Sequence, residues 1–306
     1  MLNEINAELF ERLRKIDSSR EFFEYLNKPL RKSVRINTLK ARVEVVLERL
    51  SKGGFLEERV PWCDFGYYVS EEDFSKIPEH QLGIIFPQSS VSMIPPLLMD
   101  LQKGMKVLDL CASPGAKTTE IAQLMENGGC IVANDVKNER LNILISNLQK
   151  CGVLIARVTM MDGRKFARFE NKFDAVLVDA PCSNLGMIRR SYTYARLWSL
   201  KLSLDLSKLQ KELLLAGYKA LKPGGVLVYS TCTFEPLENE AVVDFLLRNT
   251  NAEIEEVNFP IRSMPGFTEF EGHRFLEEVR RCIRIHPQLN DSEGFFVAKL
   301  IKSESS

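Results

Sequence analysis

From about residue 106 onward, short apolar runs alternate with stretches whose apolar positions recur every three or four residues. The runs at 106–110, 130–134, 155–159, 174–179, 225–230 and 293–300 predict strands. The periodic stretches at 117–126, 138–150, 205–221 and 238–249 predict helices between them. Strand and helix in turn predict an α/β fold with a mostly parallel sheet and helices on both faces. Upstream the pattern differs. Ile5, Leu9, Phe10, Leu13 and Ile16 lie at helical spacing, residues 31–40 are strand-like and basic, and Val43, Val46, Leu47 and Leu50 form a second helical set ended by Gly53 and Gly54. Residues 55–69 read as short strands with turns at Pro61 and Gly66. We read 1–85 as a small α+β domain and 86–306 as the α/β domain, with a connector at 78–87 and a short helix, interrupted by Pro95 and Pro96, over 89–99.

Ligands of an open parallel sheet bind outside the carboxyl ends of its strands. Those ends are 109–117, Asp135, Asp162, 179–186 and 230–233. The first is a strand, a tight turn of small residues and a helix start: Asp109, Leu110, Cys111, Ala112, Ser113, Pro114, Gly115, Ala116, Lys117, Thr118. A phosphate-binding P-loop needs glycines where Cys111 and Ala116 stand, and no G-x-G-x-x-G occurs. Asp135 closes the next strand, about 20 residues beyond the turn, where an acid accepts from a ribose diol. A cofactor with a ribose and no phosphates suits this loop, and S-adenosylmethionine is the expected one.

Formal charge is zero, 41 basic against 41 acidic residues, so a polyanion site has to come from local clustering. Arg31, Lys32, Arg35, Lys40 and Arg42 form such a cluster, expected to track phosphates. Seven cysteines without a C-x-x-C pair, beside only three histidines, argue against a metal site and for a reducing compartment. With no leader pattern and no apolar run of about 18 residues, the expected location is the cytoplasm and no membrane partner is expected.

Cys63, Cys130 and Cys151 are expected to be small buried hydrophobes. Cys182 and Cys232 differ, because each follows a strand directly and sits among polar turn residues. Two thiols beside Asp179 and a methyl donor point to methylation at a carbon that is not nucleophilic alone, such as C5 of a pyrimidine. A thiolate adding at C6 turns C5 into an enamine carbon, and a carboxyl group near N3 stabilises the charge that develops in the ring.

At these residues the chain resembles the Sun-type family of S-adenosylmethionine-dependent RNA cytosine-5 methyltransferases. The resemblance lies in the 109–118 loop, in Asp179-Ala180-Pro181-Cys182-Ser183 and in the 229–240 stretch around Ser230-Thr231-Cys232-Thr233. Weaker pieces at 35–40, 87–96 and 293–299 agree, so it spans nearly the whole chain in the family's order. It implies a Rossmann-like methyltransferase fold with Cys232 as nucleophile and Cys182 in product release. It also implies cofactor contacts from Cys111, Ala112, Ser113, Pro114, Gly115, Ala116 and Lys117, a ribose held by Asp135, an adenine contact at Asp162, and Asp179 between cofactor and base. Arg140 is a further cofactor candidate, and Lys117 is expected to reach the base or Asp179. The implied substrate is RNA, tRNA before rRNA, with the target base flipped out, and a monomer is expected. Arg189 and Arg190 are expected to hold flanking phosphates. DNA cytosine-5 methylation, with Cys182 as nucleophile, and a non-catalytic RNA-binding protein are the alternatives. Two departures stand out: Ala116 where a second glycine is common, and Asn184-Leu185 where Gly-Thr is common.

Overall fold

The chain is described by a computed structural model covering residues 5–70 and 73–303. Four short strands near the amino terminus, β1 (Lys32–Ile36), β2 (Leu56–Arg59), β3 (Gly66–Val69) and β4 (Ile85–Pro87), pair antiparallel in the order β2-β3-β1-β4. Helix Val43–Lys52 covers this sheet through Val46 and Leu50, which meet Val34, Ile36 and Ile85 in one apolar cluster.

The larger sheet contains the strands that alternation predicts: β5 (Lys106–Asp109), β6 (Cys130–Asp135), β7 (Ala156–Met160), β8 (Phe173–Asp179) and β9 (Leu221–Thr231). These five are parallel, in the order β9-β8-β5-β6-β7. Val107, Ala175, Leu177 and Val228 pack on one face against Ile121 and Leu144, while Leu108, Val176, Val178 and Leu227 pack on the other against Leu213, Leu214 and Val242. Neighbours along one strand thus enter opposite cores, which is why the runs are continuously apolar rather than alternating. An antiparallel extension completes nine strands: the run at 293–300 forms β15 (Phe295–Lys302), beside β9, while β10 (Ala252–Ile254), β11 (Met264–Pro265) and β14 (Ile283–Ile285) are not revealed by periodicity. A separate hairpin joins β12 (Glu269–Phe270) to β13 (His273–Arg274).

Two early helices lie on the α/β domain. Ala7–Ile16 is capped by the Asn6 side chain, which accepts from the Leu9 amide at 2.7 Å, and Arg20–Leu26 is capped by Ser19. Leu9, Leu13, Ile16, Phe22 and Leu26 pack with Leu185, Ile188, Trp198 and Phe234, directly behind the cysteine turns. Arg12, buried in that contact, pairs with the buried Glu235, and Asp17 Oδ2 meets His286 Nδ1 at 2.7 Å.

Three of the five cations expected to track phosphates are engaged inside the protein instead. Arg35 is fully buried: its Nε donates to Gln88 Oε1 at 2.9 Å, and its terminal nitrogens donate to Thr119 Oγ1 at 2.6 Å and to Gln123. Arg31 is paired with Glu57 and Glu58 and stacked on Tyr68, and Lys40 donates to the Leu82 and Lys150 carbonyls. Arg31, Arg35 and Lys40 are thus engaged within the protein, whereas Arg42 is exposed and Lys32 partly so. Of the three cysteines expected in the core, Cys63 and Cys151 are buried and Cys130 is partly exposed, because it opens its strand beside the turn at Gly129.

Candidate active site

β8 and β9 are neighbours with Asp179 opposite Ser230, so the turns that follow them leave the sheet side by side. Cys182 Sγ and Cys232 Sγ stand 3.2 Å apart, both partly exposed. The two turns are sewn together beneath the sulfurs. Gly186 N–H donates to the Cys232 carbonyl at 2.9 Å and Gly294 N–H to the Gly186 carbonyl at 3.0 Å. A Cβ on Gly186 would lie 2.1 Å from the Gly294 oxygen, so only glycine permits this approach. Glu238, buried, accepts from Ser183 N–H at 2.9 Å, Ser203 Oγ at 2.8 Å and Gln210 Nε2 at 3.0 Å, and Ser183 Oγ meets Thr233 Oγ1 at 2.8 Å. Burial raises the Glu238 carboxyl against those donors.

Asp179 is held on both oxygens: Ser230 Oγ donates to Oδ1 at 2.7 Å and Lys117 Nζ to Oδ2 at 2.7 Å. Lys117 also donates to Ser92 Oγ at 2.8 Å. Burial works against its charge, yet Asp179 outweighs that and holds the ammonium above its ordinary range. Lys117 is therefore no surface charge. It is an anchored cation beside the cysteines, as the resemblance implies. The Cys232 thiol is raised well above its ordinary value, first by its hydrogen bond with Cys182, then by burial and by the carboxylates of Asp179 and Glu293.

The loop after β5 lies at the next strand end. Asp109 is buried, Thr118 Oγ1 donates to its Oδ2 at 2.6 Å, and its Oδ1 has no partner. Burial pushes this carboxyl up to about 7, with Thr118 opposing. Ser113–Pro114 is cis, and Gly115 sits at φ 105°, where a Cβ would lie 2.9 Å from Leu144. Ala116 is the first residue of helix Ala116–Leu124, so its methyl group meets no conformational demand. Arg140 bridges the loop to the second strand end, donating to the Ser113 carbonyl at 2.6 Å and pairing with Asp135 Oδ2 at 3.3 Å. Asp162 caps the short turn Gly163–Arg168 and is bound by Arg164 at 2.6 Å. An acceptor without a partner, a second acid at a strand tip and a loop without side-chain bulk fit S-adenosylmethionine. Asp109 and Asp135 would hold its polar ends.

Arg189 does not hold phosphates. Its side chain is buried and donates to the Lys28, Pro29 and Ser292 carbonyls and to Asp291, tying the chain's two ends together. Arg190 is exposed and borders a groove of about 190 Å³ with Lys28, Pro29, Ser191 and Tyr192. Sequence reasoning missed Ser92, Ser230 and Glu238 as site residues, although all three lie in the motif stretches. Their partners are distant in sequence, and nothing local signals them. Among the described residues no group of three or more His, Cys, Asp and Glu side chains is arranged for a metal ion, and no helix is long and apolar enough to cross a membrane.

Comparisons with known proteins bear on the family and the fold. Residues 96–301 match the model of the 16S rRNA methyltransferase RsmB/F family, and residues 5–90 match that of the N-terminal domain of 16S rRNA methyltransferase RsmF. The chain is 52% identical to a tRNA (cytosine(49)-C(5))-methyltransferase of Pyrococcus abyssi, over 97% of this chain and 96% of that one. It is 40% identical to the ribosomal RNA small subunit methyltransferase F of Vibrio parahaemolyticus, over 93% of this chain but 60% of that one. The crystal structure of a methyltransferase homolog protein from Pyrococcus horikoshii superposes with a TM-score of 0.87 at 36% identity, covering 97% of this chain and 95% of that one. From its amino-terminal helices to its last strand, the chain belongs to the RsmB/F family of S-adenosylmethionine-dependent RNA methyltransferases.

Proposed function

We propose that this chain methylates C5 of a cytosine in tRNA, with Cys232 as nucleophile and Cys182 assisting release of the product. The observation that carries the reading is the pair of sulfurs 3.2 Å apart beside the Lys117–Asp179 ion pair. Cys232 gives up its proton to solvent, its thiolate Sγ bonds to C6 of the flipped base, and the C5–C6 π electrons move into the ring. Lys117, held in place by Asp179, stabilises the charge that develops there by donating an ammonium N–H toward the ring nitrogen. Bound S-adenosylmethionine supplies an electrophilic methyl group to C5. Cys182, as its thiolate, then accepts the C5 proton, and the electron pair of that bond restores C5=C6 and expels Cys232 as a thiolate. Residues 111–117 would hold the cofactor, with Asp135 to accept from its ribose and Asp162 to meet its adenine, while Arg140 braces Asp135 and the loop.

The relative that shares nearly its whole length with this chain supports tRNA. A ribosomal substrate is the second reading, favoured by the family models. Labelled cofactor offered with unmodified tRNA and small-subunit rRNA transcripts discriminates them: 5-methylcytosine forms in tRNA, and a chain that labels neither transcript is not this enzyme. We take residues 1–85 to be the unit that helps present the RNA, and the chain to act as a cytoplasmic monomer.

Arg190 and Lys28 border the groove formed by residues 26–29 and 189–192. They are our candidates for the phosphates flanking the target base. Arg190→Ala is expected to weaken RNA binding and to lower the slope of log affinity against log salt by about 0.7, the counterion release of one phosphate contact. Cofactor affinity stays as it was. A slope equal to the unaltered protein's would remove Arg190 from the interface.

A further inference from the structure

We infer that Asn184 is a catalytic residue of this chain: its side-chain oxygen receives the Cys232 thiol and sets the direction from which that sulfur meets the base. The inference rests on Cys232 being the nucleophile. Cys232 Sγ donates to Asn184 Oδ1 at 2.9 Å, and Cys182 Sγ lies 3.7 Å from the same oxygen. With the sulfurs 3.2 Å from each other, the three atoms form a triangle.

The amide cannot be turned round without loss. Asn184 Nδ2 donates to the Cys182 carbonyl at 3.1 Å, so a flipped amide would set oxygen against oxygen there and N–H groups against the thiol protons. Nor does the backbone carry the side chain elsewhere. Asn184 stands at φ 58°, ψ 25°, the left-handed region that asparagine tolerates better than most residues. Its carbonyl accepts from Met187 N–H at 2.9 Å, and Leu185 after it is fully buried. This is also the position at which the chain departs from the motif it resembles, placing an amide where glycine is common. Glycine satisfies the same backbone angle but offers no oxygen.

An acceptor that has no proton of its own to give stabilises S–H over the thiolate. Asn184 therefore holds the resting sulfur protonated and pointed, and the contact lasts only until the sulfur loses its proton to attack. Two variants separate this role from a structural one. Asn184→Gly removes the oxygen while keeping the backbone angle, and Asn184→Asp keeps an acceptor of the same shape and adds a charge. The pH dependence of Cys232 alkylation by iodoacetamide, located by peptide mass spectrometry, is measured beside kcat and the KM for S-adenosylmethionine.

The expected result is a midpoint lowered by about one pH unit in Asn184→Gly and raised by about one in Asn184→Asp. Asn184→Gly also loses about tenfold in kcat at an unchanged cofactor KM, because the sulfur reacts more readily but is no longer aimed. Coincident midpoints in all three proteins, or an unaltered kcat in Asn184→Gly, overturn the inference. Should Cys232→Ala retain turnover, the nucleophile assignment fails first and takes the role of Asn184 with it. Loss of turnover in Cys232→Ala with coincident midpoints removes Asn184 alone.

Discussion

Cys232→Ala is expected to abolish methyl transfer, a loss of about 10⁴-fold or more, because the one other thiol in reach, Cys182, is given the separate task of taking the C5 proton. The variant should still bind S-adenosylmethionine, since the loop at 111–117 and Asp135 belong to other strand ends. Cys182→Ala, one van der Waals contact away, should behave differently. It leaves the nucleophile in place but removes the group beside it, so the covalent protein–RNA species accumulates and survives a denaturing gel. The opposite pattern, an adduct in Cys232→Ala and none in Cys182→Ala, would give the nucleophile's role to Cys182 and match chemistry of the DNA type. Geometry alone does not make the two thiols equivalent. Cys232 lies nearer the Asn184 oxygen, 2.9 Å against 3.7 Å, and its carbonyl is the one tied to Gly186.

The second large effect is on stability. Arg35→Leu is expected to cost about 3–5 kcal/mol, because the buried acceptors on Gln88, Gln123 and Thr119 lose their shared donor, and to lower Tm by roughly 10 °C. Arg35 is the buried cation facing Glu120, and Gln88 joins them: it accepts from Arg35 Nε at 2.9 Å and donates to Glu120 Oε2 at 2.6 Å. Thr119 and Gln123 complete the shell, so β1 of the amino-terminal sheet grips the helix that begins at the cofactor loop and carries Lys117.

Burial pushes the Glu120 carboxyl from its ordinary 4.5 up to about 8, with Arg35 and Gln88 opposing. A folded-state pKa above the unfolded one means that the folded chain holds an extra proton between those values. The stability it confers is full below 4.5 and is lost as pH rises through about 8. Without Arg35 the carboxyl rises further, so the deficit of Arg35→Leu should widen above pH 8. Thermal denaturation at pH 6 and pH 9 measures both effects. A variant that melts with the unaltered protein at both values would show Arg35 to be replaceable by any side chain that fills the space. Arg35→Lys should recover only part of the loss, since an ammonium lacks the planar fork that reaches Gln88, Thr119 and Gln123 together.

The readings that succeeded and those that failed divide by range. β5, β6 and β8 begin and end within a residue or so of the apolar runs, because both faces of those strands are buried and every residue reports it. β10, β11 and β14 are two or three residues long, too short for a period; β10 and β14 pair on β15, and β11 pairs on β14. Arg31, Arg35, Lys40 and Arg189 look like a nucleic-acid surface when counted as charges. Three of them are spent on carbonyls, amides and a hydroxyl inside the protein, and Arg31 on two glutamates. Their partners lie as many as 161 residues away, as Lys28 does from Arg189.

The order of strand, turn and helix was determined along the chain itself, and so was the identity of the side chains at each strand end. Periodicity, small turn residues and apolar runs act on near neighbours, and no distant contact is needed to read them. Tertiary structure alone decided that Cys182 and Cys232 share one oxygen, that Lys117 is clasped between Ser92 and Asp179, and that Arg35 is a tie rather than a landing place for RNA. What a charge or a thiol does depends on the dielectric and the partners around it, and here those come from segments far apart in the chain.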